Sequence, residues 1–167
     1  MEDIIVEKVT MNIGAGEAGD KLEKAVKLLE KISGAKPVKT KTIKRIPTWG
    51  LRPNLTIGVK VTSRGKKAED LLKRLLQAKD NKLKLRSFDK EGNFSFGIEE
   101  YLLIPGVEYD ISIGVIGLEA AVTLYRRGYR VKRRRIMKKN IPLRHKIKKD
   151  EAIEFVKSRF GVDVEEK

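Results

Sequence analysis

The sequence predicts an α+β fold in a single domain. A largely antiparallel sheet carries helices on one face and leaves the other face open and polar, with a long basic loop and a basic C-terminal arm. Three observations carry this reading. Strand-like segments with period-two hydrophobicity and helix-like segments with period near 3.6 are both present, but they do not alternate strictly, as a doubly wound parallel sheet requires. Several of the strand-like segments are polar at every second residue. The chain has 167 residues, 40% of them hydrophobic and 6% aromatic, enough for one core and short for two.

Ile4 to Ile13 reads as the first strand, because Val9, Met11 and Ile13 alternate with Lys8, Thr10 and Asn12. Gly14, Gly16 and Gly19 break it. Asp20 to Ile32 is helical, with Leu22, Ala25, Val26, Leu29 and Ile32 on one face and Gly34 as its stop. Leu55 to Thr62 is the cleanest strand: Leu55, Ile57, Val59 and Val61 face one way, and Thr56, Gly58, Lys60 and Thr62 the other. Thr62 or Ser63 is expected to cap a helix over Lys66 to Ala78, whose stripe is Ala68, Leu71, Leu72, Leu75 and Leu76. Asn93–Glu99, Ile111–Ile116 and Ala121–Arg126 read as further strands, and Asp150–Phe160 as a last helix ended by Gly161. Residues 40–54 and 126–149 are too basic and irregular for core, and are expected to be an extended loop and an arm that orders only against a partner. No linker, internal repeat or low-complexity tract divides residues 1–167.

Lys and Arg number 38 against 23 Asp and Glu, a net charge of +15. The distribution is more telling than the total. Lys31–Ala68 holds 11 basic residues and no acid, and Ala120–Lys149 holds 13 and again no acid. The other 99 residues are net acidic, at −9. Two acid-free blocks at separate points in the chain point to two patches of one polyanion-binding surface. A merely solvated basic face is the bland alternative, and it is opposed by the self-repulsion of concentrated like charge. An anionic-lipid surface calls for a large apolar helix face, which Arg126–Lys139 lacks.

Catalytic and cofactor chemistry finds little support. There is no cysteine, which excludes disulfides, thiolate zinc sites and cysteine nucleophiles. His145 stands alone among Arg144, Lys146, Lys148 and Lys149, with no triad or metal spacing around it. Gly14-Ala15-Gly16-Glu17-Ala18-Gly19 has dinucleotide-turn spacing, but no acid follows between Glu30 and Glu69 to hold a ribose, and Glu17 puts negative charge where a pyrophosphate would lie. A tight glycine turn accounts for it better. No catalytic residue, metal or cofactor is therefore expected. No apolar run reaches membrane-spanning length, and the N-terminus lacks a secretory pattern, so no membrane partner and an intracellular location are expected.

The features that remain suit RNA. Thr10, Asn12, Lys60 and Thr62 on polar strand faces can bond phosphates, 2′-hydroxyls and base edges. Lys36, Lys39, Lys41 and Arg64 in the first block, and Arg130, Lys132, Arg133, Arg134 and Arg135 in the second, supply cations. Lys44, Arg45, Trp49 and Arg52 form a loop group in which Trp49 either stacks on a base or sugar, or folds back as an apolar anchor. The competing class is a free-standing structured-RNA or duplex binder, indifferent to RNA identity.

Five stretches together resemble the L-five family of large-subunit ribosomal proteins: VEKVTMNIGAGEAG at 6–19, ISGAKP at 32–37, IGVKVTSRG at 57–65, SFDKEGNFSFG at 87–97 and IPGVEYD at 104–110. The basic GYRVKRRRI at 128–136 resembles the archaeal and eukaryotic branch. The resemblance implies a cytoplasmic, ribosome-bound protein in the central protuberance, with the open sheet face on 5S rRNA through Asn12 and Thr62. It also implies contacts to large-subunit rRNA, to other large-subunit proteins and to a small-subunit protein across the subunit interface. The loop at about Thr42–Asn54 would lie near the P-site tRNA. Ala35 stands where the family usually has a glutamine, and so removes one expected contact.

Overall fold

A computed structural model describes residues 2–16 and 19–165. Five strands build the main sheet: β1 (Ile4–Gly14), β2 (Val38–Lys41), β3 (Thr56–Arg64), β5 (Phe94–Ile98) and β6 (Leu118–Arg126). Their spatial order is β2-β3-β1-β6-β5, and every pairing is antiparallel. The helices are α1 (Asp20–Ser33), α2 (Lys66–Gln77), the single turn α3 (Arg130–Arg133) and α4 (Lys149–Phe160). A second, two-stranded parallel sheet joins β4 (Lys82–Lys84) to β7 (Asp163–Glu165). The period-two pattern could not reveal such short strands.

The core lies between the main sheet and its helices. Val9, Met11 and Ile13 of β1, with Val59 and Val61 of β3, are buried on one face, against α1 residues Leu22, Ala25, Leu28, Leu29 and Ile32. Leu28 rather than Val26 completes the α1 stripe; Val26 is only half-buried. The α2 stripe is buried as the spacing predicts. Truncating a fully enclosed member such as Leu72 costs about 2–5 kcal/mol. At the end of α1, Gly34 takes the left-handed conformation (φ 62°) and donates its N–H to Glu30 O, so it is the expected stop.

Four expectations are corrected. Ile111–Ile116 forms turns, not a strand: Asp110 accepts from Ser112 N and Oγ at 3.0 and 2.7 Å, and its carbonyl takes the N–H groups of Ile113 and Gly114. This local side-chain bonding outcompetes the ladder. Neither Thr62 nor Ser63 caps α2; β3 runs on to Arg64, and Gly65 (φ 65°) makes the corner, its carbonyl accepting from Ala68 and Glu69. The expected loop 40–54 does not begin irregularly, since Thr40 and Lys41 pair with β3 as the end of β2. The fourth correction is the arm. Arg126 ends β6, is 9% exposed, and donates to Glu2 O at 2.8 Å and to Glu151 Oε1 at 3.2 Å. Beyond it, Ile141 and Ile147 are buried, and the Tyr129 hydroxyl accepts from Ile147 N at 3.0 Å and donates to His145 O at 3.3 Å. The arm is thus strapped to the domain. Isolated anchors of this kind, spread through a cationic run, are hard to see by composition.

The glycine turn is only partly described, since Glu17 lies outside the described residues. Ala15 N and Gly16 N both donate to Ile57 O, which ties the start of the turn to β3.

Candidate nucleic-acid interface

Ladder register converts the sequence into a surface. Directly opposed residues of an antiparallel pair point to the same face, so the uncovered face is laid out in cross-strand rows. One row runs Val38, Lys60, Asn12, Glu119, Gly97 across all five strands. The next runs Thr62, Thr10, Ala121, Ser95. A third runs Arg64, Lys8, Thr123. Toward the other end, Thr40 opposes Gly58, which opposes Gly14. A Cβ at Gly58 would lie 2.9 Å from Thr40 Oγ1 and 3.1 Å from Ile13 O, so glycine is needed for this close approach.

Thr10, Asn12, Lys60, Thr62 and Arg64 therefore share one face, as expected. Thr10 and Thr62 bring their hydroxyls within 3.4 Å, and Asn12 Nδ2 donates to Glu119 Oε2 at 3.4 Å. The register shift between Thr40 and Lys41 sets Lys41 opposite Thr56, on the same face. Lys39 departs from the group: it opposes the buried Val59 and so projects from the edge toward the helix-covered side. Lys36 is exposed in the connection from α1 to β2. Lys8, which the alternation put beside Thr10 and Asn12, belongs to the face too, as do Ser95, Thr123 and Glu119, none of them singled out from the sequence. Their partners lie far along the chain, and only the register brings them into line.

The loop of the first acid-free block and the arm of the second meet this face at opposite ends. The loop leaves β3 at Thr56, where Thr42 and Leu55 pair through their backbones. At its tip a short 3₁₀ turn, Pro47–Trp49, ends in left-handed Gly50 and is closed by a bridge between Ile46 and Leu51. Trp49 is 72% exposed, so it is not an anchor, and exposed Lys44, Arg45 and Arg52 surround it in sequence. The arm lies at the Arg64–Lys8–Thr123 end: Thr123, Lys132, Arg133 and Lys146 line one small depression.

The structure sorts the arm's cations. Arg133 forms a two-armed ion pair with Glu7, the extra residue where the β1–β6 register shifts between Val6 and Lys8. Lys132 and Lys146 both reach Glu91, at 3.4 and 3.7 Å. Arg134 Nε donates to Met137 O at 2.8 Å. Arg130 and Arg135 are exposed and make no ion pair among the described residues. His145 places Nε2 2.9 Å from Arg127 O and meets the Tyr129 ring edge-on, a structural role.

Nothing in this arrangement resembles a reaction centre. Among the described residues no group of three or more His, Asp or Glu side chains comes together as a metal site. Among the same residues no helix is long and apolar enough to cross a membrane. What the face offers is hydrogen-bonding groups in register between two cationic flanks.

Two family models match the chain: ribosomal protein L5 over residues 1–52, and the C-terminus of the same ribosomal family over residues 56–155. The second begins at the first residue of β3, which lies between β1 and β2, so the two matched halves interleave in one sheet. Large ribosomal subunit protein uL5 of Nanoarchaeum equitans is 53% identical over 165 residues, covering 98% of this chain and 97% of that protein. The uL5 proteins of Sulfurisphaera tokodaii and Thermoplasma volcanium are 50% and 47% identical, over 99% and 98% of this chain and 94% and 97% of their own lengths. Likeness of this degree along nearly the whole chain means that the protein belongs to the uL5 family of large-subunit ribosomal proteins, which are structural and not enzymes.

Proposed function

We propose that the uncovered face of the main sheet docks on 5S rRNA, with Asn12 and Thr62 setting register, while the arm reaches large-subunit rRNA and the loop at Thr42–Asn54 lies near the P-site tRNA. The single observation that carries this is that the loop of the first acid-free block and the arm of the second lie at opposite ends of one polar, uncovered face, which β3 of the first block crosses. Cations at both ends displace counterions from phosphates, which supplies affinity without identity. The threonine and amide groups between them face shape-specific features such as 2′-hydroxyls and exposed base edges. The family match supports a place in the large subunit, hence a ribosome-bound protein of the cytoplasm with other large-subunit proteins and one small-subunit protein as neighbours.

The test is a titration of the purified protein with an archaeal 5S rRNA and with an unrelated structured RNA of equal length, at 50 and 200 mM salt. Preference for 5S rRNA that survives the higher salt supports the reading. Equal affinities that collapse together, by roughly 10³–10⁵-fold for six to ten phosphate contacts, would mean a general RNA binder instead.

A further inference from the structure

The central row of the open face carries a carboxylate that counterion release cannot explain. Glu119 is exposed and sits in the central row between Asn12 and Gly97, with Lys60 beyond Asn12. It makes no ion pair among the described residues, and its side-chain partner is Asn12 Nδ2 at 3.4 Å. A carboxylate repels phosphate. On a face laid against RNA, it can only accept hydrogen bonds from base N–H groups or from 2′-hydroxyls.

The surroundings narrow the choice. Beside Glu119 lies an open depression of about 470 Å³, lined by Asn12, Gly14, Gly97 and Gly117 and by a second exposed carboxylate, Glu99, which adds to its acceptor character. A Cβ at Gly14 or Gly97 would meet no atom within 4 Å, so the surface there is bare backbone beneath open space. That leaves room for a flat ring to lie close to the sheet. The Asn12–Glu119 bond also commits one amide N–H, so the pair offers a ligand three oxygens against one remaining donor. The ligand edge must therefore be rich in donors. Guanine presents N1–H and N2–H₂ side by side, matching two carboxylate oxygens. Adenine and cytosine place an acceptor nitrogen next to their amino group, and uracil sets its single N–H between two carbonyls.

We propose that Glu119 is a specificity-determining residue that accepts the Watson–Crick edge of an unpaired guanine held over the glycine-floored depression. This rests on the reading of the open face as the 5S rRNA surface, and names what that face selects.

The test uses the full chain with 5S rRNA, and kethoxal, which modifies guanine at N1 and N2. Wild-type protein should protect one otherwise reactive guanine. Glu119→Gln and Gly97→Val, the second filling the depression without changing charge, should restore its reactivity. Both variants should also lower 5S affinity by about 10-fold, the order of one lost bidentate base contact. Against the unrelated RNA, Glu119→Gln should bind as well as wild type or better, because a negative charge is removed. If Glu119→Gln raises affinity for both RNAs alike, or if wild type prefers 5S rRNA yet protects no guanine, this inference fails and the proposed function stands. If wild type shows no preference for 5S rRNA, both fail.

Discussion

Arg133 and Glu7 hold each other in a two-armed ion pair that fastens the basic arm to the bulge of β1. The carboxylate is largely enclosed, with 15% of its side chain exposed, while the guanidinium is about half exposed. A parallel two-bond geometry gives direction as well as attraction. Here the direction sets the arm against the Lys8 end of the open face. One of the clustered cations is thereby tied to the fold.

Two outcomes should follow. Glu7→Gln should release the arm, with faster amide exchange over residues 130–141 and a stability loss of up to about 1 kcal/mol, since half the pair is solvated. Arg133→Ala should change the salt slope of RNA binding less than Arg130→Ala or Arg135→Ala, each of which should reduce it by about one if its side chain meets a phosphate. A larger slope change for Arg133→Ala than for the other two would show that the ion pair opens on RNA.

The lock between Arg126 and Glu151 should make stability depend on pH. Glu151 Oε2 accepts from Lys148 N at 2.8 Å at the start of α4, and Oε1 accepts from Arg126. The backbone bond first, then the Arg126 side chain, hold the carboxyl below its ordinary pKa, against a partial desolvation that raises it. A carboxyl depressed in the folded state contributes stability that is full above its unfolded pKa and is lost as pH falls through the folded value. Glu151→Gln should therefore be less stable than wild type at pH 7 by about 0.5–1 kcal/mol, the scale of a helix cap in a partly exposed site. The gap should narrow as pH falls below the ordinary carboxylate range and close once pH has passed the depressed folded value, where the wild-type carboxyl is protonated too. Urea midpoints at about pH 7 and about pH 3, on either side of the carboxylate range, would check it. A gap that persists unchanged in acid would assign the effect to shape rather than charge.

Trp49 is the single tryptophan of the chain, and it stands exposed at the loop tip. Its fluorescence is then a reporter of that loop alone. Free protein should emit as a solvated indole. Trp49→Ala should move stability by no more than about 0.5 kcal/mol, as for exposed positions generally. Stacking on a base should quench and shift the emission; binding without any change would mean that the loop tip stays clear of the RNA used.

Thr62 and Asn12 should separate identity from charge. Thr62→Val keeps a good strand former and gives up a long hydroxyl contact to Thr10, so stability should hardly change. Asn12→Ala and Thr62→Val should each weaken 5S binding while leaving the salt slope near wild type, because neither removes a cation. A slope change equal to that of a lysine substitution would contradict their assigned role.

Much of this was legible in the chain because one face of the sheet is buried. Val9, Met11 and Ile13 had to alternate with Lys8, Thr10 and Asn12 for β1 to work, and the leucines of α2 had to fall on one stripe. What sequence could not show was register. Asn12 lies 107 residues from Glu119, and only the β1–β6 ladder makes them neighbours. The same holds for Glu7 and Arg133, 126 residues apart, whose meeting turns a loose-looking tail into a strapped arm. Ile111–Ile116 misled because apolar residues recur at 111, 113 and 115, yet Asp110 bends the backbone locally and only Ile113 of the three is buried. Lys39 misled because strand β2 was read as loop, so its side could not be assigned.

Whether RNA lies on the uncovered sheet face rather than on the helices can be settled by crosslinking. A photoreactive benzophenone side chain is placed at Thr10 on that face, and at exposed Lys27 on α1, in separate preparations bound to 5S rRNA. Efficient crosslinking to a confined set of 5S nucleotides is expected from position 10, and little from position 27. Equal crosslinking from both positions, or crosslinking from position 27 alone, would mean that the open face is not the RNA surface.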